Sequence, residues 1–348
     1  MQSLGEQRTL PKVALGLWVE WGHWWGTCSL GNKIGPALLL CAYWGVLFAL
    51  NGFRTDHIVG SLLPVLLYYA GPRAYFLFEF TLPLFLAGIL YDSQRFYGDL
   101  IRGPVHVREP YELEKYLFGI SSASGLLTPN EWWQLHTNAV LDFFCGLSYI
   151  IFIPVFVLSA AYFRFWLSRT GTRFSNRHEI RQRSPQVMWA FLWVNLIGWS
   201  TYYWYAASPP WYVALHGFGP ARLDIPANSA GCARFDALIG LPLFANWYGR
   251  SADVHGAIPS LHVSYPFMAF YYAMRWGALR VSTFLFFLLV SFSAVYLNHH
   301  YIIDVILGTL YGLSVALSVD LLWNFRLKRQ ASFTPLVVPS PVVVAPDR

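Results

Sequence analysis

Asn298-His299-His300-Tyr301-Ile302-Ile303-Asp304-Val305-Ile306-Leu307-Gly308 opens a run that stays apolar almost to Trp323. Residues 302–323 match the roughly 20 mostly apolar residues that a bilayer-crossing helix needs. Yet Asp304 lies inside the run, and an ionisable group there is costly and calls for a partner. His300, four residues earlier, is predicted to share a helical face with it. A carboxylate bonded to one ring nitrogen leaves the other free to act as a nucleophile.

The rest of the chain is made of the same material. Of 348 residues, 56% are apolar and 12% charged, against about a quarter charged in an ordinary soluble domain. That deficit makes lipid the main solvent. Aromatic residues reach 18% and gather at segment ends, where aromatic belts lie. The isoelectric point of 9.1 comes mostly from short loops between apolar runs, a pattern that reports topology and anionic lipid head groups rather than nucleic acid. Cys28, Cys41, Cys145 and Cys232 form no CxxC pair, so neither a disulfide framework nor a thiolate metal site is expected. The first long apolar run begins near Gly35, after a Trp-rich stretch at 17–25, so residues 1–34 read as an interfacial segment rather than a cleavable signal peptide.

Further spans are expected at 35–52, 74–91, 139–165, 188–206, 258–276 and 281–297, with a shorter one at 57–70. The positive-inside rule orders them. Arg164, Arg169, Arg173, Arg177, Arg181 and Arg183 crowd one connector; Arg275 and Arg280 flank a tight turn; Arg326, Lys328 and Arg329 follow the last span. Alternation puts all three on one side, the cytoplasmic one, and 57–70 must also cross if the basic N-terminus lies there too. The expectation is therefore an all-α, polytopic bundle of about eight spans. It comprises N-terminal spanning helices over 35–92, an outer amphipathic connector over 93–138, and a catalytic core over 139–324. That core carries an outer loop at 208–257, and a disordered cytoplasmic tail over 325–348 follows it. Connectors as long as the two outer ones are usually functional.

This topology brings a second stretch, Gly256-Ala257-Ile258-Pro259-Ser260-Leu261-His262, to the depth of His300. His262 can give a proton to a leaving alkoxide and take one from an attacking hydroxyl. Pro259 and Ser260 read as a helix start, whose free N–H groups favour a phosphate oxygen. His299-His300 is also a metal-ligand pattern, but the further ligands such a site needs cannot be assembled from the sequence.

Pro259-Ser260-Leu261-His262 and His300-x-x-x-Asp304 resemble the second and third motifs of the type 2 phosphatidic acid phosphatase superfamily. The resemblance implies a helical phosphatase-like core of six helices and phosphotransfer through a phosphohistidine without metal or other cofactor. In that scheme His300 is the nucleophile, Asp304 its orienting partner and His262 the general acid/base. Ser208-Pro209-Pro210-Trp211-Tyr212, Ala230-Gly231, Ala233-Arg234-Phe235-Asp236, Gly256-Ala257 and His299-His300-Tyr301 are similar to the inositol phosphorylceramide synthase branch. Tyr111-Glu112-Leu113-Glu114-Lys115-Tyr116-Leu117-Phe118-Gly119 and Asp142-x-x-x-Gly146-x-x-Tyr149 resemble bacterial members of the broader group. The chain departs from the phosphatases at Leu261, where they carry Gly, and at Ala294, where they carry Arg. Their first motif, a Lys followed by Arg-Pro, is absent.

The cations of a phosphate clamp must then come from elsewhere, because equatorial oxygens gather charge in the transition state. Lys115 and then Arg102 are the preferred candidates, ahead of His106 and Arg108. Ser260 and Tyr301 are candidates to bond phosphate. Asp142 either binds sugar hydroxyls or pairs with a nearby cation. Asp236 and Arg234 read as a salt-bridged loop.

The resemblance implies transfer of inositol phosphate from phosphatidylinositol to ceramide, with a phospholipid donor and a ceramide-like acceptor as partners and sphingolipid metabolism as the setting. Two other readings remain: a lipid phosphatase with water as acceptor, and a proton-coupled transporter, against which the lack of an inverted repeat counts. The outer face is periplasmic or lumenal, and the modest length and short tails favour a bacterial inner membrane over the Golgi.

Overall fold

A computed structural model describes residues 12–123, 125–249 and 253–333. Ile302 opens a helix as expected, but the helix runs through Phe333. Residues 325–333 are thus helical where a disordered tail was expected, and 334–348 lie outside the described residues. His300 is not part of this helix. The shared helical face predicted from the four-residue spacing is corrected: His300 lies in the turn before Ile302. That turn is made at Asn298, whose left-handed φ of 62° is a conformation Asn tolerates better than most residues.

Around the Ile302–Phe333 helix the chain builds a bundle. Leu261–Trp276 packs against it and against Arg280–Tyr296; Ala139–Ala161 closes on both Leu261–Trp276 and Arg280–Tyr296. Gln186–Trp204 packs on Ile302–Phe333, and Pro72–Ser93 joins as a sixth helix by packing on Gln186–Trp204. Cys145, Phe156, Val263, Met268, Trp276 and Ala294 are fully buried among these helices. The closest approach falls at the site end, where a Cβ on Gly308 would overlap the Ser260 carbonyl; only glycine lets the two helices meet there.

Thr55–Tyr69 lies against Pro72–Ser93, and Leu30–Ala49 against Thr55–Tyr69. Leu30–Ala49 buries only Leu47 and presents Leu38, Leu39, Val46 and Phe48 outward. The Trp-rich stretch belongs to a helix, Lys12–Thr27, and Trp21 Nε1 donates to the Tyr69 carbonyl at 2.9 Å. Among the described residues four helices are long and apolar enough to cross a membrane: Leu30–Ala49, Pro72–Phe96, Ala139–Thr170 and Ile302–Gln330. Thr55–Tyr69, Leu261–Trp276 and Arg280–Tyr296 are shorter, at 15, 16 and 17 residues.

Both long connectors are ordered where they are described. The first holds the helix Arg108–Phe118, a hairpin pairing Ile120–Ser122 with Gly125–Leu127, and the helix Pro129–Leu135. Thr128 and Glu131 start that last helix with a reciprocal capping box. The second connector holds Pro210–His216, Cys232–Ile239 and Leu243–Tyr248. A short ladder ties the two together: Val105–His106 pairs in parallel with Ala206–Ala207, and Ala207 bridges to Gly256. His255 staples the second connector across itself, taking a bond from Ser208 Oγ at 3.0 Å and meeting the Arg222 carbonyl at 3.0 Å; burial lowers its pKa.

Candidate active site

The ladder sets the position of one carbonyl, that of Ala257, and this carbonyl organises the site. His300 Nδ1 lies 3.0 Å from it and 3.4 Å from Asp304 Oδ2. A carbonyl can only accept, so Nδ1 carries the proton and Nε2 keeps its lone pair. That Nε2 faces His262 Nδ1 at 3.1 Å. Burial pushes the pKa of His300 down to about 4 and that of His299 well below the ordinary value, which keeps both rings neutral near pH 7. The arrangement is a neutral imidazole with one nitrogen tethered and the other presented to a proton donor.

Main-chain contacts hold His300 from both sides. The Ala294 carbonyl accepts the N–H groups of His299 and His300 at 3.1 and 3.0 Å, so the position where an arginine was missed serves through its backbone. Asn130 Nδ2 donates to the carbonyls of Val295 at 3.0 Å and His300 at 2.9 Å. Glu114 accepts the N–H groups of Ile302 and Ile303 at 2.9 and 3.2 Å, filling donors that a helix start leaves open. Burial raises the Glu114 pKa to about 7, against the pull of those two bonds. Asp304 Oδ2 accepts Tyr301 N–H at 2.9 Å. The connector thus grips the chain on either side of the nucleophile candidate.

His262, His299 and His300 open into one cavity of about 910 Å³, large enough for a lipid head group. Tyr149 stacks on His262 at 4.6 Å, and Tyr248 stacks on His299 at 4.7 Å. His299 Nε2 is held by the Ser229 carbonyl at 3.1 Å. Trp211 lines the wall, and its N–H donates to Asn298 O at 3.1 Å, which joins the Pro-Pro-Trp-Tyr stretch to the turn before His300. The cavity extends to Arg54, Asp56, Asp92 and Arg95 of the N-terminal helices.

The structure brings His262, His300 and Asp304 together. It places the other candidates apart from the cavity wall. Lys115 Nζ meets Tyr111 Oη at 3.3 Å. Arg102 pairs with Asp253 at 2.7 Å and Asp99 at 3.2 Å; of these three, only Asp253 lines the cavity. Asp142 pairs with Arg234 at 2.6 Å and accepts from Tyr296 Oη at 2.8 Å. Ser260 Nα donates to the Asp304 carbonyl at 3.1 Å, while its hydroxyl and that of Tyr301 are buried without a partner among the described residues. Asp236 accepts the N–H groups of Phe244 and Ala245, each at 3.0 Å. His106 stacks on Tyr205 at 4.2 Å, and Arg108 pairs with Glu112 at 3.5 Å. The four cysteines are free. Among the described residues no group of three or more His, Cys, Asp or Glu is arranged to hold a metal ion.

Sequence reasoning missed Ala257, Asn130, Glu114, Tyr248 and the Arg54–Arg95 cluster. Glu114 carried a signal: its helical neighbours three and four residues away are Pro110, Tyr111, Leu117 and Phe118, so no cation stands at the spacing that would pair it. The Ala257 carbonyl carried none, since every residue has one.

The chain belongs to the PAP2 superfamily, whose family model matches residues 125–317. Its fold is accordingly of the PAP2 helical type. It is 36% identical over 287 residues to the phosphoinositol dihydroceramide synthase of Bacteroides thetaiotaomicron, a match spanning 81% of this chain and 88% of that one. It is 29% identical over 225 residues to the inositol phosphorylceramide synthase catalytic subunit of Schizosaccharomyces pombe, covering 63% of this chain and 48% of the relative. For the inositol phosphorylceramide synthase of Candida albicans the figures are 32% over 184 residues, 51% and 36%. No solved structure matches.

Proposed function

We propose that this chain transfers the inositol phosphate head group of a phospholipid to a ceramide-type acceptor through a phosphohistidine on His300. The observation that carries the reading is the pair of nitrogens facing each other in the cavity, His300 Nε2 and His262 Nδ1, 3.1 Å apart. Similarity to the phosphoinositol dihydroceramide synthase of Bacteroides thetaiotaomicron supports the choice of substrates.

In the first half-reaction His300 Nε2 attacks phosphorus, an N–P bond forms, and the P–O bond to diacylglycerol breaks. His262, as imidazolium, gives its proton to the departing oxygen. In the second, neutral His262 takes the proton of the ceramide primary hydroxyl, whose oxygen attacks phosphorus and displaces His300. Asp304 and the Ala257 carbonyl hold the Nδ1 proton throughout and stabilise the positive charge that develops on the ring. The arginine-rich connector at the far end of the bundle supports an outer-face site, and the bacterial relative supports a bacterial inner membrane.

The test is purified full-length protein with head-group-labelled phosphatidylinositol, with and without ceramide. Label should move to ceramide, and diacylglycerol beyond the single equivalent released on forming the phosphohistidine should appear only when ceramide is present. Release of free inositol phosphate at the same rate regardless of ceramide would overturn the transferase reading in favour of hydrolysis.

A further inference from the structure

The part of the cavity that lies outside the matched superfamily segment carries its two arginines. Arg54 precedes the helix Thr55–Tyr69, and Arg95 follows the helix Pro72–Ser93. Both reach one oxygen, Asp92 Oδ1, at 2.7 and 2.6 Å. Arg54 also grips Asp56 with two bonds of 3.1 Å. His57 completes the cluster. Its Nδ1 accepts the Arg54 backbone N–H at 3.1 Å, so its proton lies on Nε2 and is donated to Asp92 Oδ2 at 2.8 Å. Asp92 therefore accepts from three donors and acts as the peg that holds two guanidinium groups side by side.

Arg54, Asp56, Asp92 and Arg95 line the same cavity as His262 and His300. Among its described lining residues the arginines are the lysine- or arginine-type cations, since Lys115 and Arg102 lie elsewhere. Two guanidiniums crowded on one carboxylate oxygen make a fork suited to phosphate and polyol oxygens. A ceramide bears no formal charge, so such a fork serves the donor lipid and not the acceptor.

We propose that Arg54 and Arg95, pegged by Asp92, form the subsite for the anionic head group of the donor phospholipid, so that the N-terminal helices complete substrate binding for the catalytic core. This rests on the transferase reading for the identity of the donor, and its test does not need turnover. Full-length His300→Ala protein is placed in phosphatidylcholine nanodiscs, and retention of added phosphatidylinositol is read by native mass spectrometry. Arg54→Gln and Arg95→Gln should each weaken retention about tenfold, the loss of roughly one charge-assisted hydrogen bond. Arg54→Lys should recover part of it, and Arg73→Gln, which removes an exposed pair with Glu20, should change nothing. Soluble inositol phosphate should displace the lipid better than inorganic phosphate does.

Unchanged retention in Arg54→Gln and Arg95→Gln, with thermal midpoints equal to the parent, would overturn the proposal; so would equal displacement by inorganic phosphate. The two readings fail separately. Arginine-dependent retention without ceramide-dependent transfer removes the proposed function and keeps the subsite. Transfer with retention unchanged in both variants does the reverse.

Discussion

His57 approaches Asp92 to 2.8 Å, while His300 stands 3.4 Å from Asp304, so the tighter of these two histidine–aspartate pairs is the one away from the proposed chemistry. The difference lies in what each ring has left. His57 spends both nitrogens inside its own cluster, one on a backbone N–H and one on the carboxylate. His300 commits Nδ1 to a carbonyl and a carboxylate together, and keeps Nε2 for its cavity neighbour His262, 3.1 Å away. A histidine beside a carboxylate is a structural strut unless one ring nitrogen stays available. Burial differs as well: the His300 pair is enclosed, whereas the arginines around Asp92 are about one-third exposed, as a subsite for an incoming head group requires.

The largest loss is expected for His300→Ala. It should lower ceramide-dependent transfer on the order of 10⁴-fold or more, because a nucleophile has no substitute. An equal loss in His57→Ala would collapse the distinction. His262→Gln comes next, with kcat down about 10²- to 10⁴-fold and a thermal midpoint near that of the parent. Asp304→Asn sharpens the roles of carbonyl and carboxylate. If the Ala257 carbonyl fixes the tautomer, kcat should fall only about 10- to 100-fold, the worth of one charge-assisted hydrogen bond. A loss as deep as that of His300→Ala would give the tautomer to Asp304 instead.

Glu114→Gln tests the grip on the start of the Asp304 helix. Burial raises the Glu114 pKa from 4.5 to about 7, so the folded chain keeps a proton that the unfolded chain loses. The associated stability is complete below pH 4.5 and is lost as pH rises through 7. The thermal midpoint should therefore decline across that window in the parent, and the decline should flatten in Glu114→Gln; an unaltered slope would locate the effect in another group. The smallest change is expected for His57→Ala. Removing one of three donors on Asp92 should raise KM for the donor lipid about threefold, a surface-scale electrostatic effect, with less change in kcat.

Much of the bundle was legible because apolar length and loop charge are bulk properties of a sequence. His262, His300 and Asp304 were legible because ionisable groups are rare inside apolar runs and these three fell at one depth. What failed had physical reasons. The spacing of His300 and Asp304 was read on a helix, but the left-handed turn at Asn298 places His300 ahead of the first helical turn. Lys115 drew attention as an exposed cation in a long connector, whereas the cavity's arginines sit at the ends of helices, where loop charge is normally read as topology alone. The helix that Arg54 precedes is also short, about 22 Å at 1.5 Å per residue, so its segment carried little weight. For Asp142 the sequence leaves sugar binding and pairing with a cation both open, and Arg234, expected beside Asp236, supplies the cation.

The proton on His300 Nδ1 is held first by a peptide carbonyl, and a peptide carbonyl survives every side-chain substitution. Replacing Ala257 with another residue changes what fills the space around the site but not the atom that chooses the tautomer. The setting of the nucleophile is thus shielded from single-codon change at the position that provides it. Variation reaches it only indirectly, through the strands 105–106 and 206–207 that hold Gly256 in register. Inactivating lesions in this protein should accordingly cluster in two places: on His262, His300 and Asp304, the side chains of the proposed transfer, and in the outer connectors whose backbone keeps Ala257 where it is.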